Sequence, residues 1–547
     1  MKTFFRDTIR CTSVLMFAAA LFAAMPLRAV EWETLFTAQD VRDHLNTEKG
    51  RAEALEFCRR MGISKVYIES FRGYQADAET LKTARDYFRD AGLKVSGCVT
   101  TVNLGKPSTG WNIAACYTNR ANQQHLASVF KFTAGIFDEI MIDDFFFTDC
   151  ECSECAAAKG NQSWPQYREK LMLQMSRDNV LGAARSVNPN VKIILKYPQW
   201  YDNFHNRGYS VDKETALYDR IWVGTELRDP SSDEWGHKQQ YEGFWLYRWL
   251  SDVGGAKTGG GWFDPFGTDP ITYMDQAYIS VLAGAPEVFL FHYGSLISPQ
   301  YQAQAETFAK HRTELEELAK YVGNWSGIAA YKPPSSDPGN GSYIFDEIGM
   351  LGIPLLPTAE FPAKSRAALF TYHALGDSEF VPQLVEFLKS GKTAFVREQL
   401  AHELNLDPRL VPDNKIALPK GKLLATFAEG SGKIIVFSDS LAKLTYVDNQ
   451  NRVAQPSDAE REALDKLRHA VADFTVTSYD APPRVAIFPM GGRAAVANFT
   501  ELPIAIRLTA LSGMSSRYQK VFATAGAWLA SDGLTIHLPP HGMMVVE

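Results

Sequence analysis

Three observations predict an α/β chain whose larger part is a closed (β/α)8 TIM barrel. From about residue 31 to 325, short apolar runs of strand length alternate with longer segments of helical periodicity. Eight such units in roughly 290 residues is the size of that barrel. No G-x-G-x-x-G follows an early run, which disfavours an open doubly wound sheet.

The elements follow in order. Residues 1–29 read as a secretory leader: Lys2, Arg6 and Arg10 precede an apolar stretch at 13–25, Pro26 ends it, and Leu27-Arg28-Ala29 offers a small-residue cleavage site. Localisation is therefore expected to be periplasmic or extracellular. A first strand is expected near 30–35, followed by runs at 65–69 (KVYIE), 93–100, 139–143 (EIMID) and 192–196 (KIILK). The series continues at 220–225 (RIWVGT), 260–264 (GGWFD) and 287–292 (EVFLFH). Between them, 78–91, 122–134, 166–186 and 270–282 carry apolar residues at helical spacing. The barrel is placed at 30–328.

At 331–340 (YKPPSSDPGN) the Pro, Ser and Gly content jumps, as at a boundary. Alternation resumes with runs at 349–356, 367–375, 393–396 and 433–438 and a helix at 380–390. A smaller α/β domain is placed at 329–472. From 473 to 547, short strands and turns predict a small antiparallel β-domain of sandwich type.

Composition narrows the function. The chain has 547 residues, 46% hydrophobic, which is enough for two or three full cores. Lys plus Arg is 56 against 63 Asp plus Glu, so a phosphate backbone finds no basic excess and nucleic acid is not an expected partner. After the leader, no apolar run is long enough to span a membrane. There is no G-x-S-x-G elbow and no H-E-x-x-H.

Cys150, Cys152 and Cys155 form a C-x-C-x₂-C cluster whose sulfurs can converge from one turn. Three thiolates and a fourth ligand satisfy tetrahedral zinc, whereas a cross-link inside so small a loop gains little; disulfides are the alternative. Cys58 and Cys98 read as core residues.

Asp143 and Asp144 end the fourth strand, Glu226 the sixth and Asp264 the seventh. Residues at the carboxyl ends of barrel strands face the site, and two carboxyls about 5–10 Å apart are what glycoside hydrolysis requires. The structural alternatives are a turn cap at Asp144, pairing of Glu226 with Arg228 or Arg248, a turn at Asp264-Pro265, and an orienting role for Asp143. Trp111, Tyr197, Trp200, Tyr201, Trp222, Trp235, Trp245, Trp262 and Tyr293 fall at or past strand ends, and aromatic faces stack on sugars. Among polar groups there (His205 and His237 included), Lys196 and His292 are the preferred substrate contacts. With Asp143, Tyr197, Trp200 and Trp262 they form the expected binding set.

Cys116-Tyr-Thr-Asn, a helix, and EIMIDDFFFTDCECSEC together resemble the metal-bearing region of glycoside hydrolase family 42 β-galactosidases. That resemblance implies zinc held by Cys116, Cys150, Cys152 and Cys155. It also implies a glutamine-amidotransferase-like (flavodoxin-like) middle domain, the same domain order and a homo-oligomer. Close similarity covers about residues 116–175. The family carries Asn-Glu where this chain has Asp143-Asp144, and its strand-seven Glu is matched here only by Asp264. Asp144 with Glu226 instead resembles the α-galactosidase-like clan, with a strand-four Asp nucleophile and a strand-six acid/base.

The expectation is an exported glycosidase, galactosidase-like as first guess. Asp144 acts as nucleophile or acid/base, Glu226 as its partner acid/base, Asp264 as the alternative partner, and zinc is structural. The alternative is a non-hydrolytic glycan-binding protein on a decayed barrel.

Overall fold

The computed structural model describes residues 30–404, 423–426, 432–448, 453, 456–475, 477–510 and 517–547. The leader reading at 1–29 lies outside them. β1 (Glu31–Phe36), β2 (Ile63–Arg72), β3 (Lys94–Thr100), β4 (Glu139–Ile142), β5 (Lys192–Tyr197), β6 (Arg220–Gly224), β7 (Thr258–Phe263) and β8 (Glu287–Leu290) close into a barrel of parallel neighbours. The helical pattern at 270–282 becomes the helix Pro270–Leu282, started by an Asp269 cap and Pro270 at its first turn.

Strand alternation sorts the inward side chains into three layers. The bottom layer is ionic: Lys65 Nζ lies 2.7 Å from Glu139 and 3.8 Å from both Glu33 and Glu287, and Arg220 pairs with Glu287. Burial pushes the Glu33 carboxyl well above its ordinary value, against the pull of Lys65. The middle layer is apolar, with Leu35, Tyr67, Cys98, Met141, Ile194, Trp222, Trp262 and Phe289 in one buried cluster. The glycines of β7 make room for it: a Cβ on Gly260 would sit 2.6 Å from the Trp222 ring. The top layer carries Glu69, Thr100, Asp143, Lys196 and Asp264.

Beyond the barrel lie β9 (Ile328–Tyr331), β10 (Leu355–Thr358), β11 (Ala367–Phe370), β12 (Thr393–Arg397), β13 (Leu423–Thr426) and β14 (Lys433–Phe437). They form one sheet in the order β10-β9-β11-β12-β14-β13, parallel except for β13. From Thr477 onward the described strands make two four-stranded antiparallel sheets. Both units are fastened to the barrel. Trp245 stacks on Phe345 at 3.9 Å, and His373 Nε2 meets Asp202 at 2.8 Å. The buried Arg484 guanidinium donates to Gln239 and Gln240 at 2.8 and 2.7 Å. No described helix is long and apolar enough to cross a membrane.

Candidate active site

At the carboxyl end of the barrel, two strands deliver three acids to one amine on the strand between them. β4 ends at Ile142, so strand alternation no longer forces Asp144 away from Asp143, and both carboxyls turn toward the axis. Lys196, on β5, lies with Nζ 2.7 Å from Asp144 Oδ2 and 3.4 Å from Asp143 Oδ1, and it also bonds Glu226 Oε1. The amine sits 4.1 Å above the Trp262 ring, which stacks on Phe289 at 4.0 Å as the floor.

A second ring of contacts fixes these groups. Arg72, from β2, bridges Glu69 Oε2 and Asp143 Oδ2, both at 2.8 Å, and Thr100 Oγ1 donates to Asp143 Oδ2 at 3.1 Å. Arg228 grips Asp264 through two bonds of 2.6 and 3.0 Å and lies 3.6 Å from Glu226 Oε2. The Phe266 backbone N–H also donates to Asp264, at 3.0 Å.

Asp143, Asp144, Lys196, Glu226, Arg228 and Asp264 are all buried. Five carboxyls in this network (Glu69 included) face three cations, so charge balance favours a proton on some of the acids. Burial drives Asp144 well above the usual carboxylate range, and the charges of Asp143 and Glu226 add to this against Lys196. Burial also raises Glu226, helped by Asp264, but Lys196 and Arg228 both pull it back. For Asp143 burial acts upward too, yet Lys196 and Arg72 outweigh it and hold the group ionised. Lys196 itself is raised, its three carboxylate partners overcoming burial.

Not every expected residue arrives at the mouth. Tyr197 points the other way from Lys196: its ring is buried 5.5 Å from Phe204 and 5.6 Å from Tyr209, with its hydroxyl on Glu214. Trp222 fills the barrel interior, Trp245 lies under the middle domain, and Tyr201 donates to Asp346. Tyr293 packs on Phe36 and Phe57. Trp262 is floor, and Lys196 is the ionic hub rather than an open contact. His292 is held by Asp40 and Ser295 at 2.8 Å each, and His205 and His237 pair with Asp337 and Asp233. Trp111, Trp200 and Trp235 keep exposed area. Glu69, Arg72 and Thr100 escaped the sequence reading, although alternation from Lys65 and Tyr67 puts Glu69 on the inner face.

Beside the mouth, the ligand atoms of Cys116, Cys150, Cys152 and Cys155 all lie within 4.8 Å of one another. The Sγ separations are 3.8 Å for Cys116–Cys152 and 3.6 Å for both Cys116–Cys155 and Cys152–Cys155. A tetrahedron with Zn–S near 2.3 Å has edges of about 3.8 Å, whereas a disulfide needs about 2.05 Å. The donor set therefore fits zinc. Thr118 Oγ1 lies 2.9 Å from Cys155 Sγ, and Lys106 Nζ and Thr109 Oγ1 lie 3.8 Å from the sulfurs of Cys152 and Cys150.

Residues 22–335, more than half of the chain, match the family described as "Probable glycosyl hydrolase, catalytic domain". The chain belongs to that family. A relative, an uncharacterized protein of Saccharolobus solfataricus, is 26% identical over 350 residues; the match spans 57% of each chain, so little more than half of the relative's length is covered. Among solved structures, α-L-fucosidase isoenzyme 2 from Paenibacillus thiaminolyticus superposes with a TM-score of 0.57 at 10% identity, over 95% of this chain and 99% of that chain, which is a likeness of fold. An exo-β-1,4-mannosidase from Opitutaceae bacterium strain TAV5 gives a TM-score of 0.45 at 12% identity, over 67% and 77% of the two chains.

Proposed function

We propose that the protein is an exported glycosidase that cleaves O-glycosidic bonds with retention of configuration, using Asp144 as acid/base and Glu226 as nucleophile. One observation carries this reading: both carboxyls bond the same Lys196 Nζ. Two oxygens on one nitrogen are at most roughly 6 Å apart. That closeness supports the retaining arrangement, with carboxyls about 5–5.5 Å apart, over the roughly 6.5–9.5 Å that makes room for a water.

The electrostatics support the division of roles. Burial, with the charges of Asp143 and Glu226, raises Asp144 well above its ordinary value against Lys196, which favours the protonated acid. Glu226, also raised by burial, has both Lys196 and Arg228 beside it and ionises more readily. Lys196 occupies Asp144 Oδ2 and Glu226 Oε1, which leaves Oδ1 to carry the proton and Oε2 to attack. In the first step Glu226 Oε2 bonds the anomeric carbon, the glycosidic C–O bond breaks, and the Asp144 proton goes to the leaving oxygen. In the second, Asp144 takes a proton from water, the water oxygen bonds the anomeric carbon, and the Glu226 ester is released. With both oxygens on Arg228, Asp264 acts by holding that guanidinium beside Glu226. Asp143 holds Lys196 and Arg72.

Zinc on the four cysteines would be structural, since four thiolates leave no open position. It would tie the 101–119 and 143–152 loops together and supplies no step of the reaction. Export rests on the leader reading at 1–29. The resemblance at 116–175 makes galactosides the first sugars to try, with fucosides next from the name of the P. thiaminolyticus structure.

The test is a 2-deoxy-2-fluoro glycoside with an activated leaving group, built on whichever sugar the protein releases. The expected result is a covalent adduct on the peptide carrying Glu226, and a first-formed product of retained configuration by NMR. An inverted product would overturn the mechanism.

A further inference from the structure

A group of aromatic side chains flanks the mouth and has no part in the chemistry above. Trp111, in the loop after β3, is 39% exposed, unlike the tryptophans that fill the barrel. It is held in place. Its backbone N–H donates to Asp149 Oδ2 at 2.9 Å, and Gly110 approaches that carboxylate so closely that a Cβ would lie 2.5 Å from its carbon. The Trp111 ring packs on Phe145, Phe147 and Trp200 at 5.4, 5.9 and 6.0 Å between centroids. The Arg207 guanidinium lies 4.8 Å from the Phe147 ring and 5.0 Å from the Trp200 ring.

We propose that this ledge is a sugar-binding subsite for the unit next to the one held at Asp144 and Glu226, so that the substrate is an oligosaccharide or polysaccharide rather than a simple glycoside. The inference rests on the glycosidase reading of the same site. Continuity argues for it, because Phe145 directly follows Asp144 and its carbonyl is fixed by Thr101 Oγ1 at 2.8 Å. The chemistry agrees: a rigid, half-open indole matches the C–H face of a pyranose, and a guanidinium beside it donates to ring hydroxyls. The Asp149 carboxylate, which accepts from the Ser108 hydroxyl and the Trp111 N–H, ties the two loops together, which reduces the ordering cost of binding.

The experiment uses the full chain on an array of immobilised oligosaccharides of defined sugar and length, in an Asp144→Asn background that leaves them uncleaved. Glycans of three or more units are expected to bind and matching monosaccharides not to. Adding Trp111→Ala should weaken binding tenfold or more, and Trp111→Phe should restore most of it. Thermal melts of the three proteins check that the fold is kept. Equal binding with and without the indole, or no array signal at all, would overturn the subsite. Indole-dependent binding by a wild-type protein that cleaves nothing would leave the subsite standing and sink the hydrolytic reading. Cleavage indifferent to Trp111 would do the reverse.

Discussion

Asp144 and Glu226, delivered by strands four and six, meet on a single atom: the Nζ of Lys196 lies 2.7 Å from Asp144 Oδ2 and bonds Glu226 Oε1 as well. This arrangement brings the two acids close, sets their proton affinities apart, and depends on one buried cation.

The pH–rate profile should be displaced upward. Glu226 must be ionised to attack, so activity falls as pH drops through its raised pKa; Asp144 must be protonated, so activity falls again as pH rises through its own, higher value. Both limbs of kcat/KM should therefore lie above the ordinary carboxylate range near about 4, as properties of the pair. A dinitrophenyl glycoside, whose leaving group needs no acid, should show no alkaline limb in Asp144→Asn.

Lys196→Met should leave three carboxyls buried without their shared cation, at a cost of about 3 kcal/mol at pH 7. Without the amine the acids take up protons more readily in the folded state, so the deficit should shrink as pH falls. Denaturant unfolding of the variant and wild type at pH 5 and pH 7.5 measures this directly. A deficit that does not change with pH would contradict the hub.

One zinc per chain is expected by elemental mass spectrometry, and Cys116→Ser should lower that stoichiometry. Metal removal should lower the melting temperature, because a metal on the four cysteines would tie the 101–119 and 143–152 loops together. Activity on long glycans should fall more than activity on aryl glycosides.

The C-terminal domain is docked by His541, whose Nδ1 and Nε2 lie 2.8 Å from Asp275 and 3.2 Å from Glu501. Burial opposes its charge, but the two carboxylates win and lift its pKa from 6.5 to about 9. A raised histidine stabilises fully below about pH 6.5 and loses that contribution as pH rises through about 9. Asp275→Asn should cost up to about 3 kcal/mol near pH 6, with the gap to wild type closing by about pH 10.

Much of this architecture is legible in the chain because a period of two is unambiguous where strands are buried on both faces. KVYIE places Lys65, Tyr67 and Glu69 inward, and the structure stacks them as bottom, middle and top of the barrel. The same rule separates Lys196 from its neighbour Tyr197, which reading strand ends without alternation put together. Convergence across strands was hidden. Nothing in the spacing says that Arg228, two residues past Glu226, reaches over to Asp264 from β7 rather than serving Glu226 alone. Tryptophans were the hardest to sort, since Trp222 and Trp262 fill the barrel while Trp111 is open. The difference lies in the space left by the β7 glycines and in the hold of Asp149 on the Trp111 loop.

The central claim is that Asp144 and Glu226 form the catalytic pair. The most direct measurement is chromophore release from a panel of α- and β-linked aryl glycosides by wild type, Asp144→Asn and Glu226→Gln, with melting curves alongside. At least one glycoside should be cleaved by wild type, and kcat should fall about 10³-fold or more in each variant while the fold is kept. Folded variants that turn over within tenfold of wild type would contradict the assignment.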